Sequence, residues 1–188
     1  MFQRTFLNDL QDRLQRHFPV DTHETVCHKA MKQALRIDNI CSSTCFEPGH
    51  FTASMFVLSP NRKEVLLIWH DRLQLWVQPG GHLAEEDQNI LAAALREVEE
   101  ETTLIDIEAF HDEWSILDLD IHQFPANPKK NHPPHKHYDV RFLGQARVRR
   151  IKASNEIKEA RWIPLDSVHR IQTDGSVRRA IRSIHKLL

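Results

Sequence analysis

The chain has no long hydrophobic run, no excess of one charge sign and very little cysteine, and each absence removes a class of function. No apolar stretch approaches the roughly 20 residues that span a bilayer. The opening MFQRTFLNDLQDRLQRHF mixes charged and apolar residues where a secretory signal would be continuously apolar. A cytoplasmic protein without a membrane partner is therefore expected. Lys and Arg number 25 against 26 Asp and Glu, a net charge of -1, so no global field draws the chain to nucleic acid. Any anionic ligand must be held locally. The three cysteines, Cys27, Cys41 and Cys45, are odd in number and precede the expected core, which argues against a disulfide framework. Cys41 and Cys45 with His50 carry metal-capable side chains, but the second cysteine pair or the paired histidines of a zinc site are missing. Partly buried thiols are the expectation. Internal repeats and low-complexity tracts are absent as well.

The 188 residues suffice for one well-buried core, so a single catalytic unit with terminal additions is expected. Phe6, Leu7, Leu10 and Leu14 recur at helical spacing, and a second helical stretch runs from Glu24 to Ile37. These form a helical extension over residues 1–45, and its surface could serve a homodimer. The main domain then covers 46–188. FTASMFVL, EVLLIWH and LQLWVQ read as strands, and a turn at Pro79-Gly80-Gly81 follows. Asp87 to Thr102 predicts a helix, with Asp87 as N-cap and an apolar stripe of Ile90, Leu91, Ala94, Leu95 and Val98. ILDLDIHQF alternates until Phe124 falls on the polar face, so the strand is expected to stop near His122 or Gln123. After a proline-rich loop, HKHYDVRFLGQARV resumes alternation, and the two strands suit a hairpin. RWIPLDSV reads as a last strand turning into a short helix, and Val177, Ile181, Ile184 and Leu188 mark a terminal amphipathic helix. The pattern predicts an α/β sandwich whose sheet is covered by helices on more than one side.

Chemistry concentrates in GGHLAEEDQNILAAALREVEEETTL, residues 80–104. Spacings of three and four put Glu97, Glu100 and Glu101 on one helix face, away from the apolar stripe. Like charges so placed destabilise a helix by a few tenths of a kcal/mol per pair, and a bound cation would remove that repulsion. Hard carboxylate oxygens suit Mg²⁺ or Mn²⁺. A solvated acidic helix face would show the same three glutamates.

The surrounding residues discriminate between the two. The stretch resembles the Nudix box: Arg96, Glu97, Val98, Glu100, Glu101 and Leu104 fall on its second half without a gap, and Gly81 supplies its first glycine. The resemblance extends over about residues 51–170. It departs in two places. The loop from Gly81 to Arg96 is one residue longer than the pattern, leaving Glu86, Asp87 or Gln88 as the outer acid. Thr103 replaces a glycine, so a modified helix end is expected.

The resemblance implies an α/β/α sandwich with a mixed sheet and a pyrophosphohydrolase acting on a nucleoside diphosphate linked to another moiety. The substrate would be a nucleotide sugar, ADP-ribose, a dinucleotide or a nucleoside triphosphate. It implies that Gly81, Glu97, Glu100 and Glu101 form the metal site and that Arg96 orients a glutamate by a charged hydrogen bond. The general base is not named by the box: Glu156, Glu159, His135 and His137 all qualify. A second polar group, Asp118, Asp120 and His122 facing His135, His137 and Asp139, is suited to substrate or to another metal, or is a solvated sheet face. Two other classes stand beside the hydrolase: a non-catalytic nucleotide-binding sensor of the same fold, and an isopentenyl diphosphate isomerase-like enzyme. The retained glutamates disfavour the first, and the lack of any cysteine after Cys45 disfavours the second.

Overall fold

Along β1 (His50–Leu58) every residue is buried, so this strand must be covered on both faces and both edges. It lies at the centre of a mixed sheet. One edge meets β7 (His135–Ala146) in parallel, from His50 against His137 to Leu58 against Gln145. The other edge is shared by β2 (Glu64–His70), paired at Val57 and Leu58, and by β4 (Gly80–His82), paired at Thr52 to Ser54. β3 (Leu75–Val77) and β8 (Ala160–Pro164) join β2, while β5 (Ile107–Ala109) and β6 (Ile116–Phe124) join β7, all antiparallel. The computed structural model describes residues 2–110, 115–155 and 157–188. Among these, no helix is long and apolar enough to cross a membrane.

Alternation along the central strands builds two cores. Ala53, Met55 and Val57 of β1, with Val140 and Phe142 of β7, pack against α3 (Ile90–Thr102) through Ile90, Ala93, Ala94 and Val98. The same core takes Phe6, Leu10 and Leu14 from α1 (Phe2–Arg16) and Cys27, Met31 and Ala34 from α2 (Thr22–Ala34). The N-terminal helices are thus built into the sheet's core. On the opposite face Phe56, Leu58 and Leu143 pack against α4 (Gly175–Leu187) through Val177, Ala180, Ile181 and Ile184. Fully burying a side chain such as Val177 or Ile184 stabilises by roughly 1.5–3 kcal/mol. The result is the expected three-layer α/β/α sandwich with a mixed sheet.

Three local expectations need correction. The helix starts at Ile90 with Asn89 as N-cap, its side chain accepting from the Ala92 N–H at 2.9 Å. Asp87 instead accepts from the Ala84 N–H at 2.7 Å, closing the extra-residue loop. β6 runs on through Phe124, which is buried against histidine rings, so an aromatic on the polar face extends the strand. Gly80 and Gly81, expected in a turn with Pro79, instead belong to a short strand that pairs with β1. At the other end of α3, Thr103 holds the left-handed conformation (φ 58°) and donates its N–H to Glu99 O at 2.8 Å. The helix end keeps a glycine's geometry without a glycine.

Candidate active site

α3 turns its apolar stripe to the core and leaves Arg96, Glu97 and Glu100 on its outer side. Arg96 organises the cluster. Its Nε and Nη2 donate to Asp87 at 2.9 and 3.0 Å, Nη1 donates to Glu97 and Glu100 at 2.9 Å each, and Nη2 also donates to His82 O at 2.9 Å. Asp87 is buried against the arginine, while Glu86 and Gln88 are exposed. Buried Glu101 accepts from the Gly80 N–H at 3.0 Å. Gly81 matters by its lack of a side chain: a Cβ there would lie 2.6 Å from Glu97 Oε2, so any other residue would push the carboxylate off its seat.

Three carboxylates, those of Asp87, Glu97 and Glu100, therefore gather around one guanidinium, with Glu101 bonded to the neighbouring strand through the Gly80 N–H. Burial pushes Glu97 up to about 7; Arg96 opposes this, and the charges of Glu100 and Asp87 reinforce it. The same contacts raise Arg96, chiefly through its hydrogen bonds to Asp87. The guanidinium gains from the arrangement while Glu97, which is withdrawn from water and shares its arginine, loses on balance. A hard divalent cation fits this donor set, because it would replace the proton that Glu97 otherwise retains near neutral pH.

The four expected bases sit differently. Glu156 lies outside the described residues. The described segment that precedes it in sequence is tied to the end of α3 by the Lys152 N–H on Thr102 O at 2.9 Å and the Ser154 N–H on Glu101 O at 3.0 Å. Glu159 accepts from Arg161 on the sheet edge. Burial pushes His137 well below the usual imidazole range, with His122, His50 and His82 adding to the effect, which makes it a weak base.

The hairpin aspartates surround a second arginine. Arg141, 2% exposed, donates Nε to Asp139 at 2.8 Å, Nη1 to Asp118 at 3.1 Å and Nη2 to Asp120 at 3.2 Å. Arg179 of α4 adds bonds of 2.8 Å to Asp118 and 2.9 Å to Asp120. Asp139 also accepts from Thr52 and Ser54 of β1 at 3.0 and 2.9 Å. Despite burial, which would raise it, Asp120 is held well below the carboxylate range by His122, Arg141 and Arg179. The solvated sheet face is excluded: Asp118, Asp120, Asp139, His135 and His137 are all buried. Arg179 was not legible beforehand, its only signal being a basic residue inside an amphipathic helix.

Beyond the aspartates, the same face carries a histidine cluster. His50, His82, His135 and His137 present ring nitrogens that all lie within 4.8 Å of one another. His50 was set beside Cys41 and Cys45 in the sequence, yet it pairs with His137 across β1 and β7, and the three cysteines are free thiols. Burial pushes the Cys41 thiol up to about 12.

A family model described as NUDIX domain matches residues 49–184. A search of curated proteins found no match. Among solved structures, a Caenorhabditis elegans Ap4A hydrolase binary complex is similar at TM-score 0.56 and 18% identity, over 72% of this chain and 95% of that one. The NUDIX domain of Shewanella oneidensis NrtR complexed with ADP ribose gives TM-score 0.53 and 18% identity, over 72% and 86%. The Escherichia coli dihydroneopterin triphosphate pyrophosphohydrolase gives TM-score 0.51 and 16% identity, over 70% and 92%.

Proposed function

The chain belongs to the Nudix family, and on that premise we propose that it is a divalent-cation-dependent pyrophosphohydrolase of nucleoside diphosphates linked to a second moiety. The observation that carries this reading is the surplus of carboxylates around Arg96, with Glu97 raised to about 7. Structural neighbours act on Ap4A, bind ADP ribose or cleave dihydroneopterin triphosphate, and these ligands share a phosphoanhydride. Glu97, Glu100 and Glu101, seated against Gly81 and the Gly80 N–H, would hold Mg²⁺ or Mn²⁺. When bound, such an ion supplies Lewis-acid stabilisation of charge on the phosphoanhydride oxygens.

The chain's own residues do the rest. Arg96 fixes Glu97 and Glu100 from one nitrogen while Asp87 fixes Arg96. Glu156, which follows in sequence the segment anchored to Glu101 and Thr102, is the proposed base that takes a proton from the attacking water. Asp118, Asp120 and Asp139, bound to Arg141, are proposed to support the cleft floor. The test is phosphate release over nucleotide-sugar, ADP-ribose, dinucleotide and triphosphate panels with Mg²⁺ or Mn²⁺. At least one substrate should turn over and EDTA should abolish it; undiminished activity in EDTA, or inertness across the panel, would refute the assignment.

A further inference from the structure

The histidine cluster uses none of the carboxylates assigned above, and its hydrogen bonding points inward. His50 donates Nδ1–H to Cys45 O at 3.0 Å, and His135 pairs Nδ1 with Pro133 O at 2.7 Å. A carbonyl can only accept, so in both neutral rings the proton sits on Nδ1 and Nε2 is unprotonated, that of His135 accepting from His137 Nε2. Metal-binding histidines are held in this way, with the second nitrogen anchored to a carbonyl.

His50 Nε2 is buried and has no hydrogen-bond partner, in a residue that is 0% exposed. Leaving such an atom unsatisfied costs on the order of 1–3 kcal/mol, and a ligand that accepts its lone pair removes the cost. His135 Nε2 and His137 Nε2 face each other at 3.1 Å. Zinc–nitrogen bonds of about 2.0–2.1 Å in a tetrahedron place ligand nitrogens roughly 3.4 Å apart, so this pair is already near that spacing.

We propose that His50, His82, His135 and His137 form a transition-metal site of the Zn²⁺ class, separate from the carboxylate site on α3. Three ligands come from β1 and β7 and are buried; His82, from β4, stands on the exposed rim and provides the way in. Four imidazoles select the later first-row divalent ions over Mg²⁺, which demands oxygen donors. An apolar collar closes the site: Phe124 stacks on His137 with centroids 4.4 Å apart, and Phe46 lies 5.1 Å from His135. Such a shell limits water and strengthens the bonds inside it. His82 directly follows Gly81, so the two sites share one strand while differing in donor type. The proposal does not depend on hydrolysis.

The experiment uses the full-length protein, stripped of metal and held in millimolar Mg²⁺ to occupy carboxylates, then titrated with Co²⁺ and followed by visible absorption. One equivalent should bind with the strong ligand-field bands of low-coordinate cobalt, and Zn²⁺ should displace it and raise the melting temperature. His50→Ala and His137→Ala should abolish the bands, but both remove buried groups. His82→Ala, on the rim, should keep the wild-type circular dichroism and weaken Co²⁺ binding by at least the roughly 10- to 100-fold that loss of a supporting residue alone costs. Wild-type affinity in His82→Ala, or loss of the bands in Glu97→Gln but not in His82→Ala, would overturn the proposal. So would an absence of Co²⁺ uptake above Mg²⁺ competition.

Discussion

Arg96 and Arg141 each gather carboxylates, yet the two clusters are built to opposite ends. Around Arg141 three aspartates share two guanidiniums, and Thr52, Ser54, His122 and His23 fill the remaining lone pairs. Charge is nearly balanced and every partner belongs to the protein. Around Arg96 three carboxylates share a single guanidinium, and the Glu100 side chain is 47% exposed. A cluster that is balanced and dry holds the fold together, whereas one left negative and open to water has the donor chemistry that suits a cation. Burial alone therefore does not separate architecture from chemistry; the difference in compensation does.

The sharpest way to break the comparison is to remove each arginine. Arg141→Met should destabilise by about 3–5 kcal/mol, because three buried carboxylates lose their central partner. Arg96→Met should cost less stability and more turnover, since Glu100 and the loop reach water. Urea unfolding at pH 7 beside steady-state kinetics measures both, and equal stability losses would erase the distinction. Next in size, Glu100→Gln should lower kcat by about 10²–10³-fold, as expected for removing one group that stabilises developing charge, without lowering metal-free stability. Turnover within tenfold of wild type would make Glu100 a surface residue.

A smaller effect follows from Glu97. Its pKa rises on folding from 4.5 to about 7, so the folded state binds more protons than the unfolded state between those values. Metal-free stability from this group must fall as pH rises through that window. Melting in EDTA should therefore be higher at pH 5 than at pH 8 once Glu97→Gln is subtracted, and a divalent ion should restore stability at pH 8. A difference that is flat with pH would contradict this. Smallest of all, Thr103→Gly should stabilise by about 0.5–1 kcal/mol, since a β-branched residue in the left-handed region costs roughly 1–2 kcal/mol and glycine returns part of that as chain entropy. Destabilisation by calorimetry would show that the threonine side chain contributes more than its backbone costs.

How far the sequence discloses these clusters depends on how local they are. Glu97, Glu100 and Glu101 with Arg96 are legible because helix geometry alone brings them together. Asp87 remains ambiguous by counting, and only its buried ion pair with Arg96 separates it from Glu86 and Gln88. The polar faces of β6 and β7 read correctly as alternation, but nothing local says they are buried, since their cover comes from Arg179 on α4 and His23 on α2. His82 escapes notice, and His50 is set beside cysteines instead of its true neighbours, for the same reason: the pairings of β4 with β1 and of β1 with β7 are set by tertiary closure.

That central parallel pair also dictates when the molecule can become functional. Thr52 and Asp139 are joined across 87 residues, and the loop entropy of such a closure must be overcome before its contacts stabilise anything. During synthesis β1 leaves the ribosome as a strand with both edges open and waits for β7, sequence far downstream, to cover it. Contacts of this range make folding slow and leave an apolar edge exposed to other chains meanwhile. The histidine cluster and the aspartate network straddle this one seam, so both assemble in its closure and neither can precede the finished sheet.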